Sequence, residues 1–74
     1  MKATIEFNLP EEETEHRRML KAVDLVIAIN QMDLFLRNKI KYNELSDDAS
    51  NAFRSAREEL HSILNDYNIN LEEL

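Results

Sequence analysis

The sequence predicts a mainly α fold: a short N-terminal strand or extended arm, then a long antiparallel helical hairpin, assembled as a homo-oligomer. Three observations predict it. The chain has no glycine and a single proline, Pro10, so nothing after residue 10 interrupts a helix. Two long segments beyond Pro10 repeat their apolar residues at three- and four-residue steps. The segment from Met19 to Ile40 is apolar on almost every side, which is more than one companion helix covers.

Seventy-four residues make one domain, 1–74. A core that small usually needs a disulfide, a metal or a partner subunit to hold it. There is no cysteine, which fits a reducing compartment and leaves self-association as the leading source of support. The formal net charge is −6, from 15 acidic and 9 basic side chains. Phosphate backbones are repelled by such a surface, so no nucleic-acid partner is expected. Lys21, Asp24, Asn30, Gln31 and Asp33 interrupt the apolar segment, so no membrane partner is expected either. The opening residues show no basic-then-apolar leader pattern, and a cytoplasmic location is expected.

Residues 2–9 alternate: Ala3, Ile5, Phe7 and Leu9 against Lys2, Thr4, Glu6 and Asn8. That pattern predicts a strand with one apolar face. Nothing else in the chain reads as a strand, so its natural ladder partner is the same strand of another copy. The alternative is an extended arm across the helices.

Helix 1 is predicted over residues 10–41. Proline suits its first position, Glu11, Glu12 and Glu13 suit the positive end of its dipole, and Asn8 is the expected cap. Leu20, Val23, Ile27 and Leu34 form one ridge, and Leu25, Ile29, Met32 and Leu36 another. Ala22, Val26 and Ile40 lie between them, along with the polar line Asn30, Asp33 and Arg37. Two ridges imply two neighbours.

A polar connection at 41–45 then leads to helix 2, predicted over residues 46–67. Ser46 is its cap, and Asp47 and Asp48 occupy its first turn. Its stripe reads Ala49, Phe53, Ala56, Leu60, Ile63, Leu64 and Tyr67, with Arg54, Arg57, Glu58, Glu59 and His61 mostly outside. Asn68 is expected to close it in the left-handed conformation with Ile69 folding back, and residues 68–74 are an expected frayed tail. Helix 2 is shorter than helix 1, so the first turns of helix 1 project beyond it.

Catalytic residues: none are expected, because no nucleophile, base and orienting group can be assembled. Two Glu-x-x-His spacings, Glu13/His16 and Glu58/His61, have the form of carboxylate–imidazole metal grips. In an antiparallel hairpin turning near residue 43, His61 falls beside Val26 and His16 falls beyond helix 2. No metal and no cofactor are therefore expected. The binding candidates are Asn30, Asp33 and Arg37. Asp33 and Arg37 stand at i, i+4 and can pair, with Asn30 one turn earlier. Flanked by apolar ridges, the three form either a network between helices or subunits, or a contact for a ligand or partner. Lys39, Lys41 and Tyr42 add a basic-aromatic spot at the turn, and Arg17 belongs to the only dense basic cluster. Several copies together can hold a small anion there.

In KATIEFNLPEE (residues 2–12) and AINQMDLFLRNKIKY (residues 28–42) the chain resembles a family of small phage-encoded proteins. Their Lys-Ala-Thr opening, Leu-Pro-Glu-Glu helix start and Asp-x-x-x-Arg before a Lys-Tyr end are matched by Asp33, Arg37, Lys41 and Tyr42. A closing Leu-His pair is matched by Leu60 and His61. The tryptophans of the family's middle helix are missing here, with Gln31 and Phe35 nearby. The resemblance implies a phage origin. The expectation is a non-enzymatic accessory protein that binds and blocks a host protein, plausibly a defence component. The alternatives are an oligomeric protein sequestering a small anionic nucleotide, and a structural or assembly factor.

Overall fold

A computed structural model describes residues 1–42 and 44–74. It contains α1 (Glu13–Leu20), α2 (Ala22–Tyr42), α3 (Asp47–Asp66) and a closing 3-10 turn, Leu71–Glu73. The fold is mainly α, and among the described residues there is no strand. Within the single chain the alternating segment 2–9 forms no ladder, and among the described residues no other segment pairs with it. Phe7 is half-buried with its ring 5.3 Å from that of His16.

Helix 1 starts later than its sequence pattern predicts and is broken. Asn8 does not cap it through its side chain. The Asn8 N–H donates to Glu12 Oε1 at 2.9 Å, and the Glu12 N–H donates back to the Asn8 carbonyl at 2.8 Å. This reciprocal pair spends residues 9–12 on a turn, so the first helical residue is Glu13. At Lys21 the backbone opens to φ −94°, ψ 0°, and its N–H is shared between the carbonyls of Arg17 and Arg18, both at 3.2 Å. Lys21 is no breaker by type. The break falls where helix 1 outruns its neighbour, and α1 contains no buried residue.

α3 follows its sequence signals closely. Ser46 Oγ accepts from the Ala49 N–H at 3.2 Å, and Asp47 and Asp48 fill the first turn. Asn68 sits at φ 56°, the Ile69 N–H reaches the Leu64 carbonyl at 2.9 Å, and the Asn68 N–H reaches that of Asn65 at 3.0 Å. This is the left-handed closure that satisfies the last carbonyls of a helix. The tail beyond it is folded rather than frayed. Asn70 Oδ1 accepts from the Glu72 N–H at 3.0 Å, and Ile69 and Leu71 are half-buried. The connection predicted at 41–45 includes Asn43, which lies outside the described residues.

α2 and α3 pack against each other. The face of α2 turned to α3 reads Val26, Ile29, Asp33, Leu36 and Ile40; the facing stripe of α3 reads Ala49, Phe53, Arg57, Leu60 and Leu64. Both step by three and four, the spacing of one helix face. This regroups the predicted ridges: Ile29 and Leu36 turn inward, while Leu25 and Met32 turn out. It also corrects the predicted stripe of helix 2. Ala56, Ile63 and Tyr67 are exposed, and Arg57 takes an inward place.

The core this makes is small. Leu36 at 8% and Leu64 at 7% exposure are the only buried apolar side chains among the described residues. Phe35 meets Phe53 edge-on at 6.4 Å beside them. Leu20, Val23, Leu25, Ile27, Met32 and Leu34 are all exposed. Compact chains of this length have a radius of gyration near ~11 Å; this one has 17.1 Å and spans 52 Å. Surface–mass scaling gives ~4,700 Å² for a folded chain of 8.7 kDa, against 6681 Å² observed, an excess of roughly 1,900 Å².

Candidate functional site

A polar cluster between the helices is centred on Asp33. α2 carries it inward between Ile29 and Leu36, and α3 brings Arg57 and His61 to it. Arg57 Nε donates to Asp33 Oδ1 at 3.0 Å, and His61 Nε2 lies 2.6 Å from the same oxygen. A carboxylate only accepts, so the His61 proton sits on Nε2, and a neutral ring keeps Nδ1 as an acceptor. The Asp33 side chain is 20% exposed and that of Arg57 31%, so the pair is partly desolvated. Burial raises the Asp33 pKa. The hydrogen bonds and positive charges of Arg57 and His61 outweigh it and hold the carboxyl below its ordinary value.

This geometry corrects two expectations. Asp33 does not pair with Arg37 along its own helix, because its side chain turns toward α3. Among the described residues Arg37 has no carboxylate within ion-pair distance. His61 does not fall beside Val26. Residues 44–46 run without helix and α3 opens only at Asp47, so the hairpin turns later than residue 43 and His61 comes level with Asp33.

Asn30 and Arg37 remain close to the cluster. They line a shallow surface groove with Asp33, Leu34, Arg57 and Glu72. A second groove on the same side runs over Asp33, Arg57, His61, Leu64 and the closing turn, from Ile69 to Glu72. The other candidates are held elsewhere. Lys39 Nζ stands 5.5 Å from the centre of the Phe35 ring, and Lys41 Nζ 5.4 Å from that of Tyr42. Tyr42 itself is 69% exposed. Arg17 is bound to Glu13 at 3.2 Å on α1. Asn30, Asp33 and Arg37 thus share one place, and Arg17, Lys39, Lys41 and Tyr42 do not join it.

Arg57 and His61 are the residues that sequence reasoning missed. A signal for Arg57 existed: it sits four residues after Phe53 and three before Leu60, on the continuous line of the α3 stripe. Asp33 interrupts the inward line of α2 in the same way, between Ile29 and Leu36. Two opposite charges, each alone in an apolar line, are an expected cross-helix pair.

Neither Glu-x-x-His spacing forms a metal grip. His61 is taken by Asp33, Glu13 by Arg17, and His16 lies against Phe7. No group of three metal-binding side chains converges among the described residues. Among those residues, too, no helix is long and apolar enough to cross a membrane. No protein-family model, no curated protein and no solved structure matches the chain.

Proposed function

We propose that this is a non-enzymatic phage accessory protein that acts by binding, as a homo-oligomer in the host cytoplasm, and neutralises a host-defence component. A host protein is the first target class. The observation that carries this reading is the exposed apolar line that runs from the end of α1 along α2. Leu20, Val23, Ile27 and Leu34 stand between 49% and 70% exposed along one line. A face of that kind is what a binding surface or a subunit interface is made of. The acidic surface favours a basic protein partner over nucleic acid. Strand pairing between the 2–9 arms of two copies belongs to the same reading, since each arm lacks a ladder partner of its own.

Two measurements test it together. The mass in solution is expected to be a multiple of 8.7 kDa. Affinity capture from host lysate is expected to return one host protein in fixed ratio, and the purified pair is expected to recombine. A monomer that captures nothing overturns the reading.

A second reading has its own support. Arg37 lacks a carboxylate partner, stands on the outward line three residues from Leu34, and shares a groove with Asn30 and Arg57. When another copy covers that line, the guanidinium loses water and requires an anion. A small anionic nucleotide supplies one, and the oligomer then sequesters a signal instead of blocking a protein. A thermal-shift series with cyclic nucleotides separates the two: a large upward shift, abolished by Arg37→Ala, supports sequestration. Capture of phage proteins alone supports an assembly factor.

A further inference from the structure

We propose that the outward line of α2 pairs with the same line of a second copy, antiparallel, about a two-fold axis close to Ile27. This rests on the self-association in the reading above and adds its direction and register.

The area points to a second copy. A standard interface takes about 800 Å² from each partner. The excess surface of this chain, measured against surface–mass scaling, is more than twice that. The outward line starts at Leu20, the last residue of α1, and continues along α2; its residues Leu20, Val23, Ile27, Asn30, Leu34 and Arg37 step three, four, three, four and three. That is the spacing of a seam between two paired helices. One polar residue inside such a seam, here Asn30, is the device that fixes register.

Charge sets the direction. Arg17 is matched by Glu13 at 3.2 Å and Lys21 by Asp24 at 3.9 Å, within one chain. What remains at the α1 end is Glu11, Glu12 and Glu15 against Arg18. The far end of α2 carries Arg37, Lys39 and Lys41, with Glu44 in the connection and Asp47 and Asp48 at the start of α3 beyond it. Parallel pairing sets each end against its like. Antiparallel pairing about residue 27 sets Glu13 and Glu15 of each copy toward Lys41 and Lys39 of the other, sets Arg17 toward Arg37, and opposes the helix dipoles.

The register follows from the same spacing. Residue 27 is midway between Glu13 and Lys41, and Leu20 and Leu34 stand seven residues to either side of it. Pairing about Ile27 brings Ile27 against its own copy and each Leu20 against the Leu34 of the other. Contact of this kind is self-complementary and closes, as a two-fold interface must.

The protein has no cysteine, so a single introduced thiol reports one position. Leu20→Cys, Leu34→Cys and Ile27→Cys chains are prepared in full length, and mild oxidation follows. Antiparallel pairing is expected to link Ile27→Cys chains to themselves. It is expected to link Leu20→Cys to Leu34→Cys when the two are mixed, with little product from either alone. Self-linked Leu20→Cys and Leu34→Cys chains without the mixed product overturn the direction and leave self-association standing. A wild-type mass of one chain at micromolar concentration overturns both. If a leucine variant loses its helical dichroism, Val23→Cys mixed with Gln31→Cys reads the same register from a second pair of positions.

Discussion

The two faces of α2 are built to one spacing and stand in opposite states. Inward, Val26, Ile29, Leu36 and Ile40 meet α3, and the polar residue among them, Asp33, is satisfied by Arg57 and His61. Outward, Val23, Ile27 and Leu34, with Leu20 at the end of α1 before them, stay exposed, and Asn30 and Arg37 stand beside them. The inward face shows what a finished seam of this protein needs: apolar cover, plus an opposite charge for each charge it encloses. The outward face has the apolar residues and lacks the cover. In the pairing proposed above, its two polar residues are where the second copy's complementary groups sit.

The largest expected effect breaks the inward face. Leu36→Ala removes one of two buried leucines, and large-to-small changes at such sites cost about 3 kcal/mol. In a chain with so small a core, loss of cooperative unfolding in denaturant is the expected outcome. Leu34→Ala is the matched change two residues away, on the face that is half-exposed in one chain. Uncovered, it costs under about 0.5 kcal/mol. Covered by another copy, it costs about 2 kcal/mol, and the melting temperature rises with protein concentration. Melting both variants over a range of concentrations decides whether the outward face is a surface or an interface.

The ends of α3 were legible because they depend on local chemistry. Ser46, Asp47 and Asp48 announce its start, and Asn68 with Ile69 announces its close, wherever the rest of the chain lies. The surplus of apolar surface on the middle helix was legible for the same reason: it is a property of one segment. What depends on two segments at once was harder to read. Asp33 and Arg37 at i, i+4 looked like partners along one helix, yet the inward turn of Asp33 gave its oxygen to Arg57 and His61. The level of His61 depended on where residues 44–46 turn, and a shift of a few residues there moved it from Val26 to Asp33, about two helical turns. The helix start at Glu13 follows from the Asn8–Glu12 reciprocal pair in place of the expected Asn8 side-chain cap, and the break at Lys21 falls where the helix runs past its neighbour. The segment 2–9 has the alternation of a strand, yet among the described residues it finds no ladder partner and forms none.

Asp33→Ala acts on the polar part of the inward face. It leaves the Arg57 guanidinium partly buried without its carboxylate, at a cost of about 2 kcal/mol in chemical unfolding. The pH dependence gives an independent check. In the folded chain the Asp33 carboxyl is held below 3.8, its ordinary value. A depressed carboxyl contributes stability that is fully present above the unfolded value and is lost as pH falls through the folded one. The stability gap between wild type and Asp33→Ala is therefore expected to persist at pH values above the ordinary carboxylate range and to close as the pH falls below it. A gap unchanged at low pH assigns the loss to packing around residue 33 and removes the charge argument for the inward face.

The smallest effect is expected at His61, and it separates the two donors to Asp33. The imidazole is 47% exposed, so water screens its interaction with the carboxylate, and Arg57 holds the same oxygen from a less exposed position. His61→Ala is expected to cost only about 0.5 kcal/mol, the scale of an exposed ion pair. Arg57→Ala is expected to cost about three times as much, because it also removes a side chain stem from the inward stripe of α3. A double-mutant cycle with Asp33→Ala isolates each coupling. If His61 and Arg57 couple to Asp33 equally, the imidazole is closed off from water in the working protein. In the single chain that ring is open on its outer side, so equal coupling identifies cover from another copy reaching the clasp as well as the outward line of α2.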